Sequence, residues 1–167
     1  CASSVHEARL ARETFGGEVH AFAAAFSETE MREIVTLADH VTLNSFAQLR
    51  LFQRVVAESG RDVVCGLRIN PEHSEGAAEI YDPCAPRSRL GVRRAAFDGE
   101  TLHGVTGLHS HTLCEQNAAP FVRTLAAIEE RFGDLLPRLS WINFGGGHHI
   151  TRSDYDLDLL CDTLNAF

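Results

Sequence analysis

The chain has 167 residues, 44% of them hydrophobic and 23% charged, a composition that suits one soluble globular domain with a sizeable core. Its formal net charge of −8 argues against nucleic acid and anionic membrane as partners, and no apolar run approaches the length of a membrane span. The five cysteines, Cys1, Cys65, Cys84, Cys114 and Cys161, are widely spaced without a CxxC pair; this argues against a disulfide framework or structural zinc and for a reducing cytoplasm. No lysine occurs, so all 15 basic residues counted as Lys or Arg are arginine.

In chain order, Ser4–Thr14 is predicted to be a helix, capped by Ser3 or Ser4 and ended by Gly16 and Gly17. Val19–Ala25 is predicted as a buried strand. Ser27 followed by Glu30 is a capping-box signature that opens a helix through Leu37. His40–Leu43 reads as a short strand. Asn44 or Ser45 then caps a helix to about Glu58, with Phe46, Leu49, Phe52 and Val56 on one face. Val63–Ile69 (VVCGLRI) is a strongly apolar strand. Pro71–Val105 breaks the rhythm with three prolines, several glycines and a hint of structure only at Ser88–Arg94; a loop of this length points to function. Gly107–His111 and Ser140–Phe144 are further strands, each followed by a helix, near Ala119–Phe132 and Asp154–Asn165. About five strands alternating with five helices predict a parallel sheet of βα units. The chain opens beside one helix and stops after another with no closing strand, so it reads as an excerpt of a larger sheet.

Several residues are candidates for chemistry. Gly145, Gly146 and Gly147 follow a strand and precede a helix, where bare backbone amides can approach an anion. His109 and His111 alternate along one predicted strand and so share a face, and His148 and His149 sit at the end of the next. Arg68 lies in an apolar strand, where a buried guanidinium needs a partner, either a structural carboxylate or a ligand. Cys114 and Glu115 follow the histidine strand, and Asp82, Cys84, Arg87 and Arg89 populate the long loop.

The segments CASSVHEARL, GLRINPEHSE, YDPCAPRSRLG, GLHSHTLCEQ and NFGGGHHITR, in this order, resemble the carboxynorspermidine (carboxyspermidine) decarboxylases. These are pyridoxal-phosphate enzymes of polyamine synthesis, related to the ornithine and diaminopimelate decarboxylases. The resemblance implies an α/β fold, a partial (β/α)8 alanine-racemase-type barrel spanning residues 1–167 as roughly strands two to seven, without the first and last strands or the C-terminal β-domain. It implies that His111 stacks on the pyridine ring, that Gly145, Gly146 and Gly147 bind the phosphate, and that Arg68 lies near the ring substituents. His109, Cys114, Glu115, His148 and His149 would line the substrate side, with no metal. The lysine that carries the cofactor would lie upstream of Cys1 and an acidic Glu-Pro-Gly segment after Phe167, so this chain alone is expected to be inactive. The strand AFAAAF is blander than its counterpart in that family. The implied substrate is a small polyamine-type amino acid, and the implied assembly a cytoplasmic homodimer. Two other readings stay open: a metal-dependent hydrolase built on the HxH and HH histidines, and a cofactor-binding barrel without turnover.

Overall fold

The computed structural model describes residues 1–76 and 79–167; the remaining two positions fall inside the predicted long loop and lie outside the described residues. Helix α1 spans Val5–Thr14, followed by strand β1 (His20–Phe22), α2 (Glu28–Leu37), β2 (His40–Leu43), α3 (Phe46–Ser59) and β3 (Val64–Asn70). The short strand β4 (Val92–Arg93) comes next, then β5 (Gly107–His109), α4 (Ala118–Phe132), β6 (Trp141–Asn143) and α5 (Leu157–Ala166). The strands run parallel in the order β1-β2-β3-β5-β6, and β4 pairs with the C-terminal end of β3. Ala2 adds one further parallel rung outside β1, opposite Ala21. Among the described residues no helix is long and apolar enough to cross a membrane.

Local chemistry accounts for the element boundaries. Ser27 and Glu30 complete the predicted capping box, side chain to backbone in both directions, and Ser4 and Ser45 cap α1 and α3. Gly60, at φ +66°, ends α3 in the left-handed region. The outward residues of the sheet, among them Val41, Leu43, Cys65, Leu67 and Leu108, pack against Met31, Ile34, Phe52, Ile128 and Phe132 of the helices.

Several strands are shorter than their apolar patterns predict. β1 stops at Phe22, whose partner Thr42 is the last rung it shares with β2, so the predicted Ala23–Ala25 segment has no ladder to join. β5 stops at His109, leaving His111 beyond the strand. On α3 the buried position is Val55, three residues after Phe52, and Val56 is only partly covered. The long loop holds β4 and 3-10 turns at Glu79–Tyr81 and Arg94–Phe97.

The parallel register stacks the inner face into rungs. His20, His40 and Val64 form the lowest, at the N-terminal strand ends. Phe22, Thr42, Gly66, Gly107 and Trp141 form the middle one. Arg68, His109 and Asn143 form the upper one. The Trp141 indole lies flat over two neighbouring strands: a Cβ at Gly107 would stand 2.1 Å from it and one at Gly66 2.4 Å. Both positions need glycine because the indole takes their side-chain space. Gly107→Ala is therefore expected to destabilise the fold by about 2 kcal/mol through overpacking, read as a lowered midpoint in urea denaturation.

Candidate active site

The upper rung and the turns above it gather most of the residues singled out in the sequence. A cleft of about 470 Å³ opens on the inner face; it runs from Ala2 and His20 at its lower end past Phe22 and Trp141 to His109, His111, Gly145 and Gly146.

Arg68 is the buried charge of this site, 5% exposed. Its guanidinium donates to the His111 carbonyl at 3.0 Å and lies 5.0 Å above the Phe22 ring. Other arginines find carboxylates, as Arg12 does at Asp39 and Arg123 at Glu75, but among the described residues Arg68 pairs with none. Burial lowers its pKa, though from so high a value that the group stays cationic. A buried cation with one neutral acceptor and one aromatic face has donors to spare for an anion.

The two histidines of the HxH pair are neighbours, with ring centroids 6.2 Å apart. His111 reaches the cleft from beyond the strand rather than along it. The Asn143 side-chain oxygen accepts from the Gly145 amide at 2.7 Å and lies 3.1 Å from His109 Nδ1. An acceptor there places the His109 proton on Nδ1 and leaves Nε2 bare. His111 has the opposite tautomer: its Nδ1 accepts from the Gly146 amide at 3.2 Å, so Nε2 carries the proton. Burial and the nearby Arg68 charge push the His109 pKa down to about 4 and lower that of His111. Both rings are thus neutral at physiological pH, one offering an acceptor and the other a donor.

The same shift makes stability depend on pH. An unfolded histidine titrates near 6.5 and folded His109 near 4, so between those values the unfolded chain holds the extra proton. Stability must fall as pH drops through that window. His40, His111 and His148, also lowered mainly by burial, act in the same direction. His109→Gln is expected to lessen the acid-side slope between pH 6.5 and about 4, measured as urea midpoints against pH.

The glycine turn is fixed by its neighbours. Gly145 and Gly147 hold φ of +73° and +88°. A Cβ on Gly147 would stand 2.1 Å from the Leu113 carbonyl oxygen. Backbone bonds from Gln116 to Gly147 and from His149 to Gln116, at 2.9 and 3.0 Å, join the turn to the segment carrying Cys114 and Glu115. Among the described residues the amides of Gly147 and His148 have no acceptor, so the turn presents two free donors. Cys114 and Glu115 are exposed beside it, with Glu115 at φ +53°.

His148 and His149 do not join the HxH pair. His148 Nδ1 lies 2.6 Å from the hydroxyl of buried Tyr155, and its ring packs edge-on against Phe121. His149 Nδ1 is buried without a partner among the described residues. Asp82, Cys84, Arg87 and Arg89 lie in the long loop; Asp82, Arg87 and Arg89 border a separate, larger cleft near Asn44. Phe22, Asn143 and Tyr155 join the site without being marked by any sequence motif. Strand alternation was the available signal for the first two, since Phe22 and Asn143 share their face with Trp141 and His109. The Tyr155 contact depends on a turn geometry that no spacing rule encodes.

No family model matches the chain. It is 42% identical over 166 residues to the carboxyaminopropylagmatine decarboxylase of Synechocystis, covering 99% of this chain and 42% of that protein. It is 40% identical over 158 residues to a carboxynorspermidine/carboxyspermidine decarboxylase of Campylobacter jejuni, covering 95% and 40% of the two chains. The crystal structure of the C. jejuni carboxynorspermidine decarboxylase complexed with norspermidine superposes with a TM-score of 0.85 at 37% identity, over 99% of this chain and 41% of that one. The Helicobacter pylori diaminopimelate decarboxylase, at 15% identity and a TM-score of 0.77, shares the fold. The expected fold is borne out: an α/β parallel sheet corresponding to part of a decarboxylase barrel. The chain spans about two fifths of the length of the curated relatives it matches.

Proposed function

We propose that this chain is the cofactor-cradling part of a pyridoxal-phosphate-dependent decarboxylase acting on a carboxylated polyamine-type amino acid, with residues 1–167 forming roughly strands two to seven of its barrel. The observation that carries this reading is Arg68, a buried guanidinium without a carboxylate partner among the described residues, set beside His111 and below a glycine turn with two free amides. That donor set suits an anionic, planar cofactor. Pyridoxal phosphate, when bound, supplies an electron sink for loss of CO2 from the α-carbon. The chain's residues hold and orient. The amides of Gly147 and His148 would take the phosphate, Arg68 an anionic ring substituent, and His111 would lie against the ring. His109 offers a bare Nε2 to a substrate ammonium and, being neutral, does not repel a cationic tail. Trp141, over Gly66 and Gly107, forms the wall of the cleft beneath the site.

A chain without lysine cannot itself hold the cofactor as a lysine Schiff base. In this proposal that lysine, and the partner subunit of a cytoplasmic homodimer, belong to the protein of which these residues form a part. The names of the relatives suggest three substrates to compare: carboxynorspermidine, carboxyspermidine and carboxyaminopropylagmatine. They differ in tail chemistry, where Glu115 and Cys114 are the candidate selectors.

The test is CO2 release by the protein carrying this chain, with and without added pyridoxal phosphate. Release from one of these substrates that requires the cofactor supports the reading. Cofactor-independent hydrolytic activity abolished by a chelator would favour the metal-hydrolase alternative, against which stand the separate engagements of His109, His111 and His148. Cofactor binding without turnover of any of the three substrates would favour the non-catalytic barrel.

A further inference from the structure

The side chains of Glu18, His20 and His40 converge at the N-terminal strand ends, two rungs below Arg68 and His109, where His20 also lines the lower part of the cleft. Their ligating atoms all lie within 4.8 Å of one another, and they are the one group of three such residues so gathered among the described residues. His20 and His40 open β1 and β2 and face each other directly in the parallel register. Glu18 stands two residues before β1, and its carboxylate oxygen lies 3.5 Å from His20 Nε2 and 4.0 Å from His40 Nε2.

We propose that Glu18, His20 and His40 form a binding site for a zinc-type divalent transition-metal ion that pins β1 to β2 at the N-terminal floor of the sheet. Two imidazoles and one carboxylate are a ligand set zinc and cobalt accept, with water completing a tetrahedron. Metal–ligand bonds of about 2.1 Å imply a tetrahedral edge of roughly 3.4 Å. The observed 3.5 and 4.0 Å carboxylate–imidazole separations are near that edge, and all three ligating atoms lie within 4.8 Å. The imidazole rings stack at 4.0 Å with planes 5° apart, so their in-plane lone pairs run side by side and one ring must turn for both to meet a single ion. Half-exposed His20 and the well-exposed Glu18 carboxylate leave the site open to an ion from solvent. Residues at this end of a βα barrel serve stability rather than turnover, so the expected effect is a tighter fold.

The test uses Co2+ and Zn2+ with the protein that carries this chain. Wild type is expected to bind one ion with the visible spectrum of four-coordinate cobalt, and zinc is expected to raise its thermal midpoint. The Trp141 ring, edge-on to His40 at 6.1 Å, provides a second reading, since cobalt at this site should quench its fluorescence. His20→Asn and His40→Asn are expected to lose one ion equivalent, quenching and thermal shift together, while His103→Asn on the surface keeps all three. Glu18→Gln guards against a folding artefact, because its side chain is 72% exposed and should weaken binding at least tenfold with the fold unchanged. No bound ion in wild type, or full stoichiometry retained in His20→Asn, would overturn the proposal. The decarboxylase reading is judged separately, by cofactor-dependent CO2 release, and His40→Asn is the variant that separates the two because His20 lines the same cleft.

Discussion

Arg68→Met, made in the protein that carries this chain, is expected to weaken pyridoxal-phosphate retention by about 10- to 100-fold while leaving the cofactor-free fold as stable as before or slightly more so. The two halves of that expectation come from the same physics. Arg68 is buried, gives one bond to the His111 carbonyl, and has no carboxylate among the described residues. Removing a buried, incompletely partnered charge by an apolar side chain of similar length is neutral or favourable to folding. A charge-assisted hydrogen bond to an anionic ligand is worth about 1.5–3 kcal/mol, which is roughly a 10- to 100-fold change in affinity. Equilibrium dialysis of the cofactor together with urea denaturation of the cofactor-free protein reads both. A structural arginine would show the reverse pattern, a lower urea midpoint with unchanged cofactor affinity.

The second large effect is expected at the glycine turn, where the three glycines are not equivalent. Gly147→Ala forces a side chain into φ +88° with its Cβ 2.1 Å from the Leu113 carbonyl oxygen, and Gly145→Ala meets the Ser110 carbonyl and the His111 ring in the same way. The obstacle at Gly147 is backbone, which cannot rotate aside. Backbone strain and overpacking of about 1–3 kcal/mol each predict a loss near 4 kcal/mol or a turn torn from the Leu113–Gln116 segment. Either outcome removes the free amides of Gly147 and His148, and cofactor affinity and turnover should fall together by two orders of magnitude or more. Gly146→Ala is the internal control: its nearest obstacle is a His111 ring carbon at 3.9 Å and its φ is not positive, so stability should hardly move. Equal losses at all three positions would mean that the glycines serve the ligand alone and not the turn.

The helices and the alternation of the fold were legible because their signals are local. Ser27 with Glu30, Ser45 and the apolar spacing of Phe46, Leu49 and Phe52 each act within one or two turns of chain. Strand ends were less legible, because a parallel strand lasts only as long as its neighbour. Val19–Ala25 is apolar apart from His20, yet only His20–Phe22 finds partners on β2. The short β4 has almost no pattern of its own and exists because the end of β3 offers it a ladder. In the site, the residue types at 68, 109, 111 and 145–147 announced themselves, but their relations did not. The opposite tautomers of His109 and His111 are imposed by Asn143 and Gly146 across a strand gap. The histidines expected to act together are split, His148 turning to Tyr155, while His20 and His40, which no motif marked, are stacked.

The Trp141 indole, seated over Gly66 and Gly107, also constrains how this lineage can change its sequence. Any side chain at 66 or 107 must wait until position 141 has shrunk, and shrinking this half-buried aromatic on its own forfeits packing over two strands worth about 1–2 kcal/mol. Each first step is therefore penalised in either order, and only their combination restores a filled interior. The three positions, far apart in the chain, should drift as a single block or not at all. Relatives that have lost the tryptophan are where larger residues at the other two places should be sought.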